Sequence, residues 1–256
     1  MRDSTRAGSW DRFWIERGPV ADWDYLSHVI FRHLEPFCGL GQGQWMVEAG
    51  CGTGRILNAL VRSGCRACGV DNSFPVLRQA AQRQAQFVRV CGDITGLPYA
   101  SESLDVVWSS GVLEHFQGQP QVQVMKELAR VVKPGGWIIT LVPYSRCLPY
   151  RVAKWLLEKS RLWPYGMETP ILTLKPLCET AGLKVSVEMT LGFTTLGVQN
   201  LQYLPGLKGP GRKIGQWCCF LFDRGLLRGL DRFFSRWFGG YLLLCVAVKQ
   251  GSRDKV

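Results

Sequence analysis

Short apolar runs alternate with amphipathic segments through the first 143 residues of the chain. The apolar runs, which are typical of buried strands, lie at Trp45–Val47, Arg66–Val70, Phe87–Cys91, Leu104–Trp108 and Trp137–Val142. Segments with the apolar spacing of a helix lie between them at Ile56–Val61, Phe74–Gln84 and Gln119–Val132, with a break expected at Lys133–Gly136. Because regular strand and helix alternation implies right-handed crossovers, the pattern predicts an α/β fold with a doubly wound, mostly parallel, Rossmann-like sheet.

The pattern differs on either side of this region. Residues 10–36 have the spacing of one or two leading helices. After residue 143 we expect helices at Arg151–Lys159 and Leu172–Ala181 and strands at Leu183–Met189 and Tyr241–Val248. No crossover pattern separates these last two strands, which predicts an antiparallel pair, and so an antiparallel edge strand, at one side of a seven-stranded sheet.

Length and composition fit one folded domain. The chain has 256 residues, of which 46% are hydrophobic and 20% charged, as expected for a globular protein with a full core. Its predicted parts are leading helices at 1–38, a core at 40–143, a helical cap from insertions at 144–169 and 191–240, and a final helix and strands at 170–190 and 241–249. The sequence shows neither an apolar leader nor a run of about 18 apolar residues, which predicts a cytoplasmic protein.

The ten cysteines are scattered along the chain. Several fall inside strand-like runs, so we expect most of them to be small buried hydrophobic residues. Cys65 and Cys68 have the spacing of a redox or zinc pair, but no second pair completes a tetrahedral site. A structural role is therefore favoured for both.

The net charge of +11 belongs to the second half of the chain. Residues 1–143 carry 14 Lys/Arg against 13 Asp/Glu, whereas residues 144–256 carry 17 against 7. This asymmetry favours an anionic partner, either lipid headgroups or nucleic acid, for the C-terminal part.

Residues 223–238 have the pattern of a basic amphipathic helix. Its apolar residues fall on one half of a helical wheel and its four arginines on the other: Leu226, Leu227, Leu230, Phe233, Phe234, Trp237 and Phe238 against Arg224, Arg228, Arg232 and Arg236. One alternative is a lid that packs its apolar face on the domain. The other is a helix on an anionic membrane, which would make the protein peripheral at the inner face of that membrane.

The stretch Val47–Arg55, VEAGCGTGR, predicts a strand, a glycine turn and a helix. Glycine permits positive φ and a close approach of the backbone to a small molecule, and the first N–H groups of a helix face such a ligand. A Walker loop would need Lys-Ser/Thr after the last glycine, where this chain has Arg55-Ile56, and the spacing is not G-x-G-x-x-G. The turn alone is compatible with an ordinary tight turn or a cofactor loop.

Polar residues follow three further strands at the same predicted edge. Asp71 stands where a carboxylate accepts the hydroxyls of a ribose, and Asp93 with Ile94 suits a base with an exocyclic amine. Ser109 to Gly111 opens space beside them. A single carboxylate at a strand end is often only a cap or turn residue, but four such ends together indicate a binding site.

At this point the sequence resembles the class I S-adenosylmethionine-dependent methyltransferases, and in particular their small-molecule branch of the ubiquinone and menaquinone type. The motifs that carry the resemblance are VEAGCGTGR, GVDNS at 69–73, GDITGLPYASESLDVVWSSGVLEHF at 92–116 and ELARVVKPGGWIITLVP at 127–143. They cover about residues 40–143, with a looser match over the C-terminal part.

The resemblance implies S-adenosyl-L-methionine as the cofactor and an in-line SN2 transfer of its methyl group to an O or C nucleophile. The residues implied to bind the cofactor are Glu48, Gly50, Cys51, Gly52, Thr53, Gly54, Asp71, Asn72, Asp93, Ile94 and Ser109. Within that set Glu48 supports the loop, Asp71 takes the ribose, Asp93 and Ile94 the adenine, and Ser109 the methionine end. The protein would mainly supply proximity and orientation.

His115 is the candidate general base, with a packing role beside the cofactor as the alternative. Some relatives that methylate quinone precursors place a carboxylate three residues before the Glu-His pair and bind a metal. Here Gly111 takes that position, so we expect no metal.

The predicted acceptor is a small, apolar or lipid-like molecule, because the cap is basic and rich in aromatic residues. Nucleic acid is disfavoured, since no RNA-binding module or Asn/Asp-Pro-Pro-Tyr/Phe motif follows the fourth strand. An RNA or protein methyltransferase and a non-catalytic partner subunit stay as alternatives.

Overall fold

A computed structural model of the protein describes residues 9–17, 23–37, 44–82, 85–161, 163, 165–196 and 208–251. It contains one sheet of seven strands in the order β3-β2-β1-β4-β5-β7-β6. The strands are β1 (Trp45–Ala49), β2 (Arg66–Asp71), β3 (Val88–Cys91), β4 (Leu104–Ser110), β5 (Val132–Pro143), β6 (Leu183–Leu191) and β7 (Leu242–Lys249).

Nine α-helices are present among the described residues. They are α1 (Ser9–Arg17), α2 (Tyr25–Leu34), α3 (Arg55–Arg62), α4 (Phe74–Gln82), α5 (Gln119–Val131), α6 (Leu148–Lys159), α7 (Lys175–Thr180), α8 (Lys208–Asp223) and α9 (Leu226–Phe234). Short 3-10 turns occur at Glu35–Phe37 and Leu113–His115, and a π-helical turn at Ser235–Gly239 follows α9.

The predicted α/β architecture is confirmed. Strands β1 to β5 pair in parallel, and β7 pairs antiparallel with both β5 and β6. The reversed strand β7 therefore forms the predicted antiparallel pair with the edge strand β6. The carboxyl-terminal ends of the four parallel strands β1 to β4 lie together along one edge of the sheet, which is where open parallel sheets bind ligands.

Two hydrophobic cores lie on the two faces of the sheet. The alternation of side chains along a strand places Met46 in one core and Val47 in the other. The first core contains apolar residues of α2, α3 and α4 and Phe222 from α8. The second contains residues of α5 and α7, so helices cover both faces as the doubly wound pattern requires.

Lys133–Gly136 does not break the chain as the sequence predicted. These residues lie inside β5, where the pairing with β4 shifts from Leu104 opposite Val132 to Val106 opposite Trp137. The Pro-Gly-Gly sequence is therefore accommodated as a bulge in a long strand rather than as a loop before it. The predicted helix at Leu172–Ala181 is also shorter, because α7 begins only at Lys175.

The predicted helix over 223–238 is wrong at its beginning. Asp223 ends α8, and Gly225 with φ +86° separates it from α9, which begins at Leu226. A left-handed backbone at Gly225 turns the chain between the two helices. Residues 162, 164 and 197–207 of the predicted cap, and residues 83–84 of the predicted helix Phe74–Gln84, lie outside the described residues.

Most described cysteines are buried, as expected: Cys51, Cys68, Cys147, Cys178 and Cys245 are free thiols within the fold. No helix among the described residues has the length and apolar character needed to cross a bilayer. How the chain divides into core and cap segments stays a prediction.

Candidate active site

The glycine turn after β1 has the backbone that only glycine adopts readily. Gly50, Gly52 and Gly54 have φ values of +81°, +52° and +64°. The N–H groups of Gly50 and Cys51 both donate to the carbonyl of Val70, at 2.7 and 3.0 Å, and so tie the turn to β2. Gly54 is the N-cap of α3, whose first N–H groups lie at the ligand edge of the sheet.

Close packing around the turn also requires glycine. A Cβ added to Gly50 would stand 2.3 Å from Val112, and one added to Gly54 would stand 2.0 Å from the ring of Phe87. At Gly52 the nearest atoms belong to Trp14 of α1, at 3.0 Å. Helix α1 therefore covers the glycine turn.

Asp71, at the end of β2, is bonded to the glycine turn. Its Oδ2 accepts the N–H of Gly52 at 2.8 Å and its Oδ1 accepts the N–H of Ser73 at 2.9 Å. Burial raises the pKa of Asp71, and these two N–H groups partly oppose that rise. Each carboxylate oxygen keeps a second lone pair, so the group can still accept two ligand hydroxyls.

Glu48 and Ser109 place further polar atoms at this edge. The pairing of Glu48 with Trp108 brings Ser109 beside the end of β1. Both residues are buried, and neither Glu48 Oε2 nor Ser109 Oγ has a hydrogen-bond partner among the described residues. Burial, with Asp71 nearby, holds the pKa of Glu48 well above its usual range. Buried polar atoms without partners are costly and are the kind that a bound ligand satisfies.

The remaining predicted cofactor residues lie at the same edge. Asp93 is exposed and its Oδ1 accepts from the N–H and hydroxyl of Thr95, whereas Ile94 beside it is buried. Thr53 is buried inside the turn. For the last two predicted residues, Asn72 has an exposed side chain, and the Cys51 thiol already donates to the carbonyl of Gly52 at 3.6 Å.

His115 is buried in the turn that follows β4. Its Nδ1 lies 2.9 Å from the carbonyl of Met167, which makes Nδ1 the donor and leaves the lone pair on Nε2. Burial lowers the pKa of His115, with Lys154 adding to that effect. The imidazole is therefore neutral near pH 7, which is the form that a general base needs.

Two carboxyl groups lie next to this imidazole. The ligand atoms of Glu114, His115 and Glu168 all lie within 4.8 Å of one another. Burial raises the pKa of Glu114 to about 8, and its Oε2 has no partner among the described residues. Glu168 accepts a 2.6 Å hydrogen bond from the hydroxyl of Tyr150. The second carboxyl group, that of Glu168, thus comes from outside the LEH sequence, while the prediction of no metal stays a prediction.

A row of rings begins at this histidine and extends to β7, and we name it the aromatic arc. Its members are Trp10, Phe13, Tyr165, Trp163, Tyr150 and Tyr241. Trp10 meets the ring of His115 at 4.9 Å, and successive members follow with ring centroids 5.0 to 6.3 Å apart. Such edge contacts add to the stability of packed rings. The arc joins α1, α6 with the segment after it, and the residue before β7 into one row of rings.

Comparison with known proteins places this fold. A family model described as "Methyltransferase domain" matches residues 47–140. Malonyl-[acyl-carrier protein] O-methyltransferase of Pseudescherichia vulneris is 34% identical over 46% of this chain and 46% of its own length. Probable tRNA methyltransferase 9B of Mus musculus is 30% identical over 50% of this chain and 31% of its own. A solved S-adenosylmethionine-dependent methyltransferase of Thermotoga maritima has a TM-score of 0.61 at 19% identity, covering 95% of this chain and 99% of that one.

The chain contains a class I S-adenosylmethionine-dependent methyltransferase domain. S-adenosylmethionine is the cofactor of this family. The chain spans less than two thirds of the length of these first curated relatives, and the solved structure supports the fold alone.

The edge of the methyltransferase sheet fits this cofactor. A ribose diol suits the open lone pairs of Asp71, and an amino-acid end suits the unpartnered atoms of Glu48 and Ser109. The three glycines permit the positive φ values by which the turn brings its backbone to this edge of the sheet. The assignment of individual residues to the cofactor stays a prediction.

Sequence reasoning missed the contributions of α1 and of Glu168 to the methyltransferase site. Trp10, Phe13 and Trp14 recur at the three- and four-residue spacing of one helix face, which was a usable signal for a buried side of α1. Glu168 carried no such signal. It reaches the site because Thr169, next to it, donates its N–H to the carbonyl of Glu114 at 2.7 Å.

Proposed function

We propose that the chain transfers a methyl group from S-adenosylmethionine to an oxygen or carbon nucleophile of a small, apolar or lipid-like acceptor. One observation carries this proposal: the base candidate His115 is 4% exposed and lies behind the aromatic arc. An apolar molecule gains free energy by burial against such rings. A nucleotide base of RNA, or a side chain of a protein substrate, would have to displace α1 to reach the imidazole of His115.

When bound, the cofactor supplies an already activated methyl group on a sulfonium. The chain's own residues then have to hold two reactants in line and exclude water. The glycine turn and Asp71 would hold the nucleoside part, and Ser109 the methionine end beside β4. Trp14 and Trp10 of α1 cover the turn and the histidine together.

His115 would take the proton from the acceptor. Its Nδ1 donates to the carbonyl of Met167, which orients the ring and keeps the lone pair on Nε2. Glu114, with a pKa of about 8, is neutral at pH 7 and can donate a hydrogen bond to an oxygen of the acceptor. A neutral base beside a neutral acid suits an acceptor with an acidic O–H or C–H group.

The comparisons support the class of reaction more than the acceptor. A relative named for O-methylation of malonyl-[acyl-carrier protein] favours an oxygen nucleophile. A quinone precursor of the ubiquinone or menaquinone type would present both O and C nucleophiles on an apolar ring. The relative named as a tRNA methyltransferase, together with the basic C-terminal half, supports RNA as the second candidate.

The test follows a labelled methyl group from the cofactor into cell extract. The purified chain is incubated with methyl-labelled S-adenosylmethionine and with separated lipid, RNA and protein fractions of a cell extract. We expect the label in the organic phase of the lipid fraction. Label in RNA or in protein would contradict the proposed acceptor.

The same experiment needs a variant that removes the cofactor site. Asp71→Ala removes the acceptor of both backbone N–H bonds and of the ribose, so we expect calorimetric binding of S-adenosylmethionine and labelling to be lost. Glu179→Ala, at an exposed carboxylate of α7, is the matched control. Absence of cofactor binding in the unsubstituted chain would favour the partner-subunit alternative.

A further inference from the structure

Helix α9 leaves its apolar face in solvent. Leu226, Leu230, Phe233 and Trp237 recur at spacings of four, three and four residues, and so form one stripe. Their exposed fractions, and that of Phe238 beside them, lie between 44% and 69%. A lid helix would bury this stripe against the domain.

Polar residues hold the opposite side of α9 and the turn after it. Asp231 and Ser235 are buried, at 3% and 2% exposure. Asp231 accepts the N–H groups of Gly192 and Thr194 at 3.0 and 2.8 Å, and Ser235 accepts the N–H of Phe193 at 3.3 Å. These bonds fix the rotation of the helix, so the aromatic stripe faces outward because of the fold.

Arginines flank the exposed stripe. A cavity of about 700 Å³ lies between the end of α9 and the β6–β7 side of the sheet, and Arg146, Arg232 and Arg236 line it with Trp237 and Phe238. Among the described residues none of the three arginines has an ion-pair partner. Glu188, which also lines the cavity, accepts hydrogen bonds from Thr173 and from the N–H of Leu174 instead.

We propose that this part of the molecule binds the surface of an anionic phospholipid bilayer. The α9 surface consists of Leu226, Leu230, Phe233, Trp237 and Phe238 with Arg146, Arg232 and Arg236. Its leucines and rings enter the boundary between headgroups and acyl chains, and its arginines bind lipid phosphates. Arginine suits phosphate because its planar group donates several hydrogen bonds in a fixed geometry.

A bilayer explains the stripe better than RNA does. Nucleic acid would bind the arginines, and its bases would stack on the rings. The two leucines offer nothing to a phosphate and no face for stacking, whereas they contribute directly to insertion into lipid. Charge and apolar character are therefore both accounted for by one occupant.

The α9 surface also lies close to the aromatic arc. The Cβ position of Gly239, next to Phe238, stands 3.0 Å from the ring of Tyr144, which directly follows β5. Tyr241, a member of the aromatic arc, lies two residues after Gly239 in the chain. If the proposed function holds, an apolar acceptor can pass from the bilayer to the methyl group along this path. Membrane binding itself does not depend on that function.

The experiment is flotation of the full chain with vesicles of neutral phosphatidylcholine and with vesicles that contain 30% phosphatidylglycerol. We expect binding only to the anionic vesicles, and weaker binding at high salt. Arg232→Glu with Arg236→Glu should lower the vesicle affinity by at least about 20-fold, since each basic residue near such a surface contributes roughly a factor of 5. Phe233→Ala with Trp237→Ala should also reduce binding.

Matched controls make the same kind of change, in charge or in exposed apolar groups, away from the α9 surface. Arg62→Glu with Lys126→Glu changes the net charge equally on α3 and α5, and Trp45→Ala with Val88→Ala removes exposed apolar groups at the amino ends of β1 and β3. Both should bind vesicles like the unsubstituted chain. Equal losses in variants and controls, no binding to anionic vesicles, or arginine-dependent binding of an RNA hairpin in its place would overturn the proposal. Calorimetric titration with S-adenosylmethionine, run on each variant, separates this result from the cofactor site.

Discussion

His115 is the residue on which the proposed chemistry depends most directly. Its tautomer is set by the carbonyl of Met167, and its protonation state by burial, which lowers its pKa from the usual 6.5. A base must be unprotonated to act, so a lowered pKa extends the active range to lower pH. The ring contact with Trp10 at 4.9 Å holds the imidazole plane in addition.

We predict that His115→Asn lowers the turnover number about 10²- to 10⁴-fold, the usual contribution of a general base. The affinity for S-adenosylmethionine should change little, because the substitution lies on the acceptor side. In the unsubstituted chain the rate should fall below about pH 6.5, where His115 becomes protonated, and above about pH 8, where Glu114 loses the proton that it would donate. The acid limb should be absent in the variant. Steady-state rates across pH 5 to 9 with calorimetric cofactor titration measure both effects. An unchanged rate would assign His115 a packing role.

Residues of the cofactor edge could be predicted from sequence because they follow strands directly. Asp71 and Ser109 stand at the ends of apolar runs, and parallel strands bring such ends to one edge. Glu168 lies in a segment without regular structure, 53 residues after His115. Its position is set by hydrogen bonds between the 167–169 segment and the turn after β4. Such contacts between distant parts of the chain leave no local sequence pattern from which they could be predicted.

Helix α1 contacts both the glycine turn and the candidate base His115. Trp14 lies against Gly52, Trp10 against His115, and the side chain of Gln79 donates to the carbonyl of Trp14 at 3.1 Å. One helix therefore contacts the glycine turn, the candidate base and α4. Its position suits the exclusion of water from a bound cofactor.

We expect Trp14→Ala to raise the dissociation constant for S-adenosylmethionine about 5- to 30-fold, because about 1–2 kcal/mol of packing over the turn is lost. Ile15→Ala is the matched control, since Ile15 lies on the same helix with 65% of its surface exposed. Calorimetric titration of both variants gives the comparison. Equal affinities in the two variants would show that α1 does not cover the bound cofactor.

The C-terminal helices show where element prediction fails. The helical wheel of residues 223–238 separates an apolar side from a basic side, but it does not show which side packs on the domain. The packed side is set by Asp231 and Ser235, which accept hydrogen bonds from the backbone after β6. From the hydrophobic pattern alone, both residues would be assigned to the polar surface. The break at Gly225 was likewise hidden, because one glycine inside a helical pattern does not by itself end a helix.

At the scale of the whole molecule, the cofactor edge is where distant parts of the chain meet. The glycine turn follows β1, Asp71 ends β2, Asp93 follows β3 and Ser109 lies in β4, with α1 above the turn. On the predicted assignment of cofactor residues, a ligand bound there would contact segments from residue 14 to residue 109. Because unfolding would disperse all of these segments, such a ligand binds the native state alone.

Saturating cofactor should therefore stabilise the entire fold. At a concentration 100 times the dissociation constant, the free energy of unfolding should rise by about 2.7 kcal/mol, which raises Tm by roughly 5–10 °C in a chain of this size. Differential scanning calorimetry with and without S-adenosylmethionine, or its demethylated product, measures the shift. Asp71→Ala should abolish it, whereas Glu179→Ala should preserve it. A shift confined to a minor transition, with the main transition unmoved, would mean that the cofactor edge unfolds separately from the sheet.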